Sequence, residues 1–243
     1  MKATKIIALG ALTIMALGAT SCRLEKVRPY DPEHSKMMEK SMTVNPYTRI
    51  ETHGSVDIEY IQGPARISYK VPQGYQKYVN IKVENGCMVI DFMRNMPSNG
   101  ATLEVECYSP DLESIQLNGA GEIEGKQATL KDLKIEINGA GTLDWKDLQA
   151  NNVEIGLNGS GEIDLQHYRG GNLSLSSSGA GDIDIEDVNA GIITAQLSGA
   201  ATFEISGKCQ KARFNASGAA EIERPRLFCS DIKEIKNGKE TNK

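Results

Sequence analysis

The chain has 243 residues, with 27 Lys and Arg against 32 Asp and Glu, a formal charge of −5 and a pI near 5.4. That balance argues against a nucleic-acid partner, which needs a basic surface, and aromatic residues at 5% leave little for an aromatic-lined carbohydrate cleft. With 24 Gly and 8 Pro, the composition suits many tight turns between short strands, and the length suffices for one sizeable core or an elongated stack.

Residues 1–21 read as a secretory signal peptide. Lys2 and Lys5 precede an apolar run from Ile6 to Leu17, too short to span a bilayer with these flanks. The run ends in Leu17-Gly18-Ala19-Thr20-Ser21-Cys22, and small residues before a cysteine resemble the lipobox of bacterial lipoproteins. The resemblance implies cleavage before Cys22, lipidation of Cys22, and the membrane as a partner through that anchor. The expected location is the bacterial cell envelope, as an outer-membrane lipoprotein. Arg23-Leu24-Glu25-Lys26 is not the acidic run that some lipoproteins carry as a surface-export signal, so the membrane face stays open. Residues 22–43 are expected to form a flexible tether, since their charges alternate in sign and Pro29 and Pro32 break any helix.

Residues 44–110 contain strand-like runs without a fixed period. They are Val56-Asp57-Ile58-Glu59-Tyr60, Ala65 to Val71, Val79 to Val83, Met88 to Phe92 and Leu103-Glu104-Val105, with a hairpin turn at Glu84-Asn85-Gly86. This part is expected to be a looser β-rich cap on the more regular second half of the chain.

From residue 111 to 238 a beat appears. Asn118-Gly119, Asn138-Gly139, Asn158-Gly159, Ser178-Gly179, Ser198-Gly199, Ser217-Gly218 and Asn237-Gly238 recur every 20 residues, with one step of 19. Alternating stretches flank each site, such as Ile135-Glu136-Ile137 before it and Thr142-Leu143-Asp144 after it. Period-two alternation means strands with one buried face. A third apolar column runs through Ala128, Leu148, Tyr168 and Val188. No repeat can bury its apolar face alone, but stacked repeats bury all the columns together. The predicted fold is therefore all-β, a parallel β-helix or β-solenoid with about 20 residues per coil. The Asn/Ser-Gly sites are its corners, where glycine takes positive φ and the Asn and Ser side chains stack as a polar ladder. Residues 239–243 are left as a polar tail.

Four cysteines come after Cys22. Cys209 and Cys229 are one repeat apart, and stacked equivalent positions about 4.8 Å apart can be bridged. Cys87 and Cys107 share that spacing with a less clear register. Free buried thiols are the alternative for both pairs.

The strand with Val56-Asp57-Ile58, the Asn85-Gly86 turn, Leu103-Glu104-Val105 running on to Ser109-Pro110-Asp111-Leu112-Glu113-Ser114-Ile115, and the repeated Asn/Ser-Gly-Ala-Gly-Asp/Glu-Ile-Asp units together resemble the bacterial GIN-domain family, described as an auto-transporter adhesin head. The resemblance covers about residues 44–223. It implies a β-solenoid-like fold, an envelope location and adhesion, and it supplies no catalytic residues. No C-terminal membrane barrel is visible, so the lipid anchor at Cys22 is expected to take its place.

Candidate chemistry is sparse. Glu122, Glu162, Asp182 and Glu221 form one outward column, and Glu124, Asp144, Asp164, Asp184, Glu204 and Glu223 another. Asp144, Asp164 and Asp184 are weak candidates for a cation stripe, against the plainer reading of a solvated acidic face that blocks aggregation. His34, His53 and His167 are scattered and form neither a catalytic motif nor a metal-ligand spacing. Tyr168 and Arg169, before Gly170-Gly171, mark the most irregular loop and are weak ligand-binding candidates. The resulting expectation is a non-enzymatic protein with no cofactor and no metal site, binding a protein or glycan, and able to form homo-oligomers. The alternative is a polysaccharide-acting β-helix enzyme, a lyase or hydrolase, using outward carboxylates.

Overall fold

The computed structural model describes residues 35–93 and 100–240. The expectations for the signal peptide, for Cys22 and for most of the tether lie outside the described residues. Among the described residues there is no α-helix, only a 3-10 turn at Gln76–Tyr78. The protein is all-β.

The first half comprises β1 (Met37–Thr43), β2 (Arg49–Gln62), β3 (Arg66–Pro72), β4 (Val79–Glu84), β5 (Cys87–Phe92) and β6 (Leu103–Ser109). β2 is the hub. Its first half pairs in parallel with β5 from Arg49 to Gly54, and its second half with β6 from Val56 to Gln62. β4 returns antiparallel on β5. Their turn, Asn85-Gly86, has φ of 51° and 72°, the geometry an Asn-Gly hairpin provides. β3 lies antiparallel on β6, and β1 antiparallel on β3. Thus residues 37–43, inside the expected tether, form an edge strand. All seven of its residues are exposed. Backbone pairing holds this strand and burial does not, which is why its composition reads as a linker.

The second half comprises β7 (Ser114–Ser177), β8 (Ala180–Gly218), β9 (Glu221–Lys236) and β10 (Lys239–Glu240). A straight strand of 64 residues would span roughly 210 Å at about 3.3 Å per residue. β7 instead bends back beside itself. Asn138 Nδ2 donates to Asn118 Oδ1 at 3.1 Å, and Asn158 Nδ2 to Asn138 Oδ1 at 3.1 Å, each across 20 residues. The same offset pairs β7 with β8, Ile163 beside Ile183 and Leu173 beside Ile193. β9 pairs with β8 in parallel, with a one-residue slip between Glu204 and Ser206. The sheet has ten strands in the order β1-β3-β6-β2-β7-β8-β9-β10, with β5 and β4 branching from β2.

This register gathers the apolar columns. Ile50 sits beside Ile115, and Ile58 beside Ile123. The rows continue through Ile135 and Ile155 and through Leu143 and Ile163, all buried. Each such aliphatic side chain contributes about 1.5–3 kcal/mol on burial. At the corners, Gly119, Gly139 and Gly159 have φ of 139°, 138° and 146°. A Cβ on Gly139 would stand 2.2 Å from the Gly119 carbonyl oxygen, so both conformation and close stacking demand glycine.

The seventh Asn/Ser-Gly site differs from the expected corner. Asn237 and Gly238, with φ of 50° and 75°, turn the chain back into β10, antiparallel on β9. Lys239–Glu240 is therefore a short strand and not part of a tail. Asn237 Oδ1 still accepts from the Gly218 N–H at 3.0 Å, as a stacked corner would. β9 buries no residue fully, and a disulfide ties its Cys229 to Cys209 with Cα atoms 4.7 Å apart. Cys87 and Cys107 are both free thiols. Their spacing of 20 misleads because Cys87 lies beside Arg49 and Cys107 beside Tyr60, on opposite halves of β2.

Candidate functional site

The outward residues that alternate with the apolar columns line up across the sheet. Glu59 lies between Glu106 on β6 and Glu124 on β7. Farther along the same row, Asp164 lies beside Asp184, and Glu204 beside Glu223. The neighbouring row has Asp57 beside Glu104 and Glu162 beside Asp182, with Thr202 beside Glu221. The acidic face thus runs from β6 to β9. Sequence reasoning found the part from residue 122 onward and missed Asp57, Glu59, Glu104 and Glu106. The signal was present in Val56-Asp-Ile-Glu and Leu103-Glu-Val-Glu, but their offsets to the repeats are not 20.

Where β2, β3, β6 and β7 meet, this face sinks into a cleft of about 230 Å³ lined by Asp57, Glu59, Glu104, Glu106, Glu122 and Glu124. Ser68, Tyr69 and Lys70 of β3 also line it, with Ile58 and Val105. The Asp57 carboxyl is raised above its usual range, first by burial and then by Glu104 and Glu124, while the Glu122 N–H bonded to it works the other way. That N–H donates to Asp57 Oδ1 at 2.9 Å. Glu122 is raised by burial, then by Glu124, Asp57 and Asp144. Lys126 pairs with Glu59. Such carboxyls hold protons more readily than free ones and attract cations.

Of the three cation-stripe candidates, Asp164 is raised by burial and then by Asp144 and Asp184. Asp184 is raised by burial and then by Glu186. Asp144 Oδ1 is buried without a hydrogen-bond partner. The three are stacked, yet among the described residues no three His, Cys, Asp or Glu side chains converge to hold a metal ion.

Tyr168 and Arg169 are not in a loop. Both lie within β7. Tyr168 is 0% exposed. Its hydroxyl donates to the Asn172 carbonyl oxygen at 2.8 Å and lies 3.1 Å from that of Ala150. Burial, with Asp132 second, pushes it up to about 12. A Cβ on Gly170 would stand 1.8 Å from the Ala150 carbonyl oxygen and 2.4 Å from that hydroxyl, so the glycine allows close stacking on the neighbouring repeat and the tyrosine and does not mark a loop. Arg169 is exposed between Asp147 at 3.4 Å and Asp187 at 3.9 Å, which are surface ion pairs. His53 contacts Glu51 at 2.9 Å, and His167 Nδ1 donates to the Lys146 carbonyl oxygen at 3.1 Å. Neither is placed for nucleophilic chemistry.

A second concavity of about 290 Å³ lies on the face before the corners, lined by Ser176, Ser177, Ser178, Gln196, Ser198 and Asn215 among others. None of its lining residues is charged. The asparagine ladder passes through Asn158, which accepts from Ser178 Oγ at 3.0 Å, and then shortens to serines. Ser198 and Ser217 donate instead to the carbonyls of Ser177 and Leu197, at 3.2 and 3.3 Å.

The structure is a mostly parallel all-β sheet with acidic outward rows. The chain belongs to the family described as "Putative auto-transporter adhesin, head GIN domain", which matches residues 46–168 and 157–239. No curated protein matches it. Among solved structures it is similar to a "putative adhesin" from Bacteroides fragilis NCTC 9343, at 19% identity, covering 86% of this chain and 100% of that one, with a TM-score of 0.63. It is also similar to a "putative lipid binding protein" from Parabacteroides distasonis ATCC 8503, at 17% identity, covering 83% and 98%, with a TM-score of 0.49. At 19% identity the likeness to the first of these is one of fold.

Proposed function

We propose that this chain is an envelope-anchored lipoprotein with a non-catalytic binding role, an adhesin head whose body is a parallel β-solenoid of about 20 residues per coil. The 20-residue register within β7 and between β7 and β8 supports the solenoid. The observation that carries the binding role is the outward face, continuous from β6 to β9 and free of inserted loops between repeats. Long flat faces suit extended partners and repeated weak contacts. Family membership supports adhesion, and Leu17 to Cys22 supports the anchor. Asp144, Asp164 and Asp184 are a weak cation stripe, in which the field of the row holds counter-ions diffusely.

Two measurements test the reading. Beads coated with the full chain are expected to adhere to a surface of protein or glycan, without turnover of any polysaccharide offered. In cells, Cys22→Ser is expected to move the protein from the membrane to the soluble fraction, and retention in the membrane would count against the anchor.

One observation favours a second reading, a polysaccharide-acting enzyme. Asp57 and Glu122 are adjacent, part-buried and both raised, as paired acids in glycan chemistry are. Release of reducing ends from acidic polysaccharides, abolished by Glu122→Gln, would establish it.

A further inference from the structure

The two ends of the sheet are finished differently. At one end β3 and then β1, which follows the N-terminal segment, fold antiparallel onto β6. At the other end β9 is the last long strand. Among the described residues, its far edge is paired only at Ile235 and Lys236, by β10. From Glu221 to Lys233 it pairs with β8 alone, which leaves a row of backbone N–H and C=O groups facing outward from the end of the stack. The disulfide between Cys209 and Cys229 holds this edge in place, so a partner would meet a preformed strand. Glu234 stands beside the buried Phe214 and pairs with Arg224 at 3.2 Å. An ion pair therefore closes part of the core's end.

Two further features of this edge point to its occupant. Phe228 is 71% exposed, whereas no other large apolar side chain among the described residues exceeds 42%. It lies midway between Glu223 and Lys233, five residues from each. The edge is also acidic at its start, with Glu221 and Glu223, and basic at its end, with Lys233 and Lys236. Parallel stacking sets like on like, as with Glu204 beside Glu223. An antiparallel copy of the same strand reverses the order and sets opposite charges together.

We propose that the free edge of β9 is a homophilic contact, through which two copies of this chain pair antiparallel about a two-fold axis at Phe228 and join molecules anchored in opposed membranes. The proposal rests on the envelope-anchored adhesin reading and names the partner of its far end. A two-fold axis in the plane of the last coil reverses the chain direction, and it makes the contact self-complementary. Phe228 then faces Phe228 of the second copy, an aromatic cross-strand pair. Glu223 faces Lys233 of the second copy, once on each side of the axis. The exposed contact of Lys233 with its own Glu240, at 3.5 Å, is worth little and does not compete. β10 covers the edge beyond Lys233 and ends the pairing there. Because β1 and the N-terminal segment lie at the opposite end of the sheet, such a pair carries its two anchors at its two far ends.

Sedimentation velocity of the purified full chain is expected to show a monomer–dimer equilibrium. Glu223→Lys alone, or Lys233→Glu alone, sets like charges together twice per dimer and is expected to weaken dimerisation about tenfold. Mixing the two single variants, or combining both changes in one chain, restores opposite pairs and is expected to restore the dimer. Phe228→Ser is expected to abolish it at an unchanged melting temperature. A chain that stays monomeric, or no rescue by the mixed variants, overturns the proposal. So do assemblies that grow past the dimer, as pairing of β9 with the β1 edge of another copy would give. Beads coated with the chain through its N-terminal end are expected to clump with one another. Beads that adhere to protein or glycan and not to one another overturn the contact and leave the adhesin reading; beads that adhere to nothing, with a dimer in solution, overturn the adhesin reading and leave only the dimer.

Discussion

Trp145 is the bulkiest of the fully buried side chains, at 0% exposure, and it occupies a position whose later equivalents are Leu165, Ile185 and Ile205. It fits because the preceding repeat carries Gly125 there. A Cβ on Gly125 would lie 2.2, 2.4 and 2.6 Å from the Cδ2, Cε2 and Cε3 atoms of the indole, far inside the roughly 3.5–4.0 Å of ordinary contact. The ring cannot swing away, since Tyr60 packs on it with centroids 5.8 Å apart. Gly125→Ala is therefore expected to cost about 1–3 kcal/mol in overpacking, offset by about 0.5–1 from replacing a strand glycine. Trp145→Leu loses part of the roughly 3–5 kcal/mol typical of truncation to alanine. It also removes an indole N–H that is buried without a partner, which returns about 1 kcal/mol. In the double variant the new methyl meets a leucine, so its cost should vanish, giving a favourable coupling of at least about 1 kcal/mol. Thermal and urea unfolding followed by far-UV circular dichroism measures this, because Trp145 is the only tryptophan. Additive single and double effects would refute the steric account.

The geometry leads to three further outcomes. Replacing Cys209 and Cys229 by serine opens a loop of 20 residues, worth about 3 kcal/mol in chain entropy. Because β9 buries nothing fully, limited proteolysis should then cut in β9 first; unchanged cutting in reductant would argue against a clasp. Asp57, Glu122, Asp164 and Asp184 all have raised carboxyls, so the folded state holds protons that the unfolded chain releases first. Their contribution to stability is greatest below about pH 4 and declines as pH rises through the raised folded values. Asp164→Asn should raise the melting temperature at pH 7 and not at acid pH, and millimolar calcium should raise it in the parent chain more than in the variant. Finally, salt near 1 M shortens the Debye length to about 3 Å, so any cationic ligand of the acidic cleft should dissociate.

The repeats were legible because one chemical rule recurs. Residues such as Ile135, Ile155 and Leu175 alternate with polar neighbours at a fixed step, and glycine marks each corner. The first half was legible as strands but not as topology. β3, β4 and β1 pair antiparallel through backbone groups, which any sequence provides, and the offset of 65 residues that sets Ile50 beside Ile115 has no local signature. The acidic rows were half seen for the same reason. Tyr168 reads as a loop residue because a glycine pair marks either a loop or a close approach, and only the tertiary contacts of Gly170, with the Ala150 carbonyl and the Tyr168 hydroxyl, distinguish them.

The two concavities differ in what they ask of a partner, and the register explains why both exist on one sheet. Side chains in parallel in-register strands stack on their own kind, so any charge on an outward position is repeated about every 4.8 Å. Two adjacent carboxylates at that spacing repel by about 1 kcal/mol in water-like surroundings. A row of them is tolerated only where solvent, lysines such as Lys126, or a cation screens it. Before the corners the outward set changes from repeat to repeat: the column through Glu136 passes to Gly156, Ser176, Gln196 and Asn215 and loses its charge. The acidic face excludes anionic surfaces from one side of the molecule.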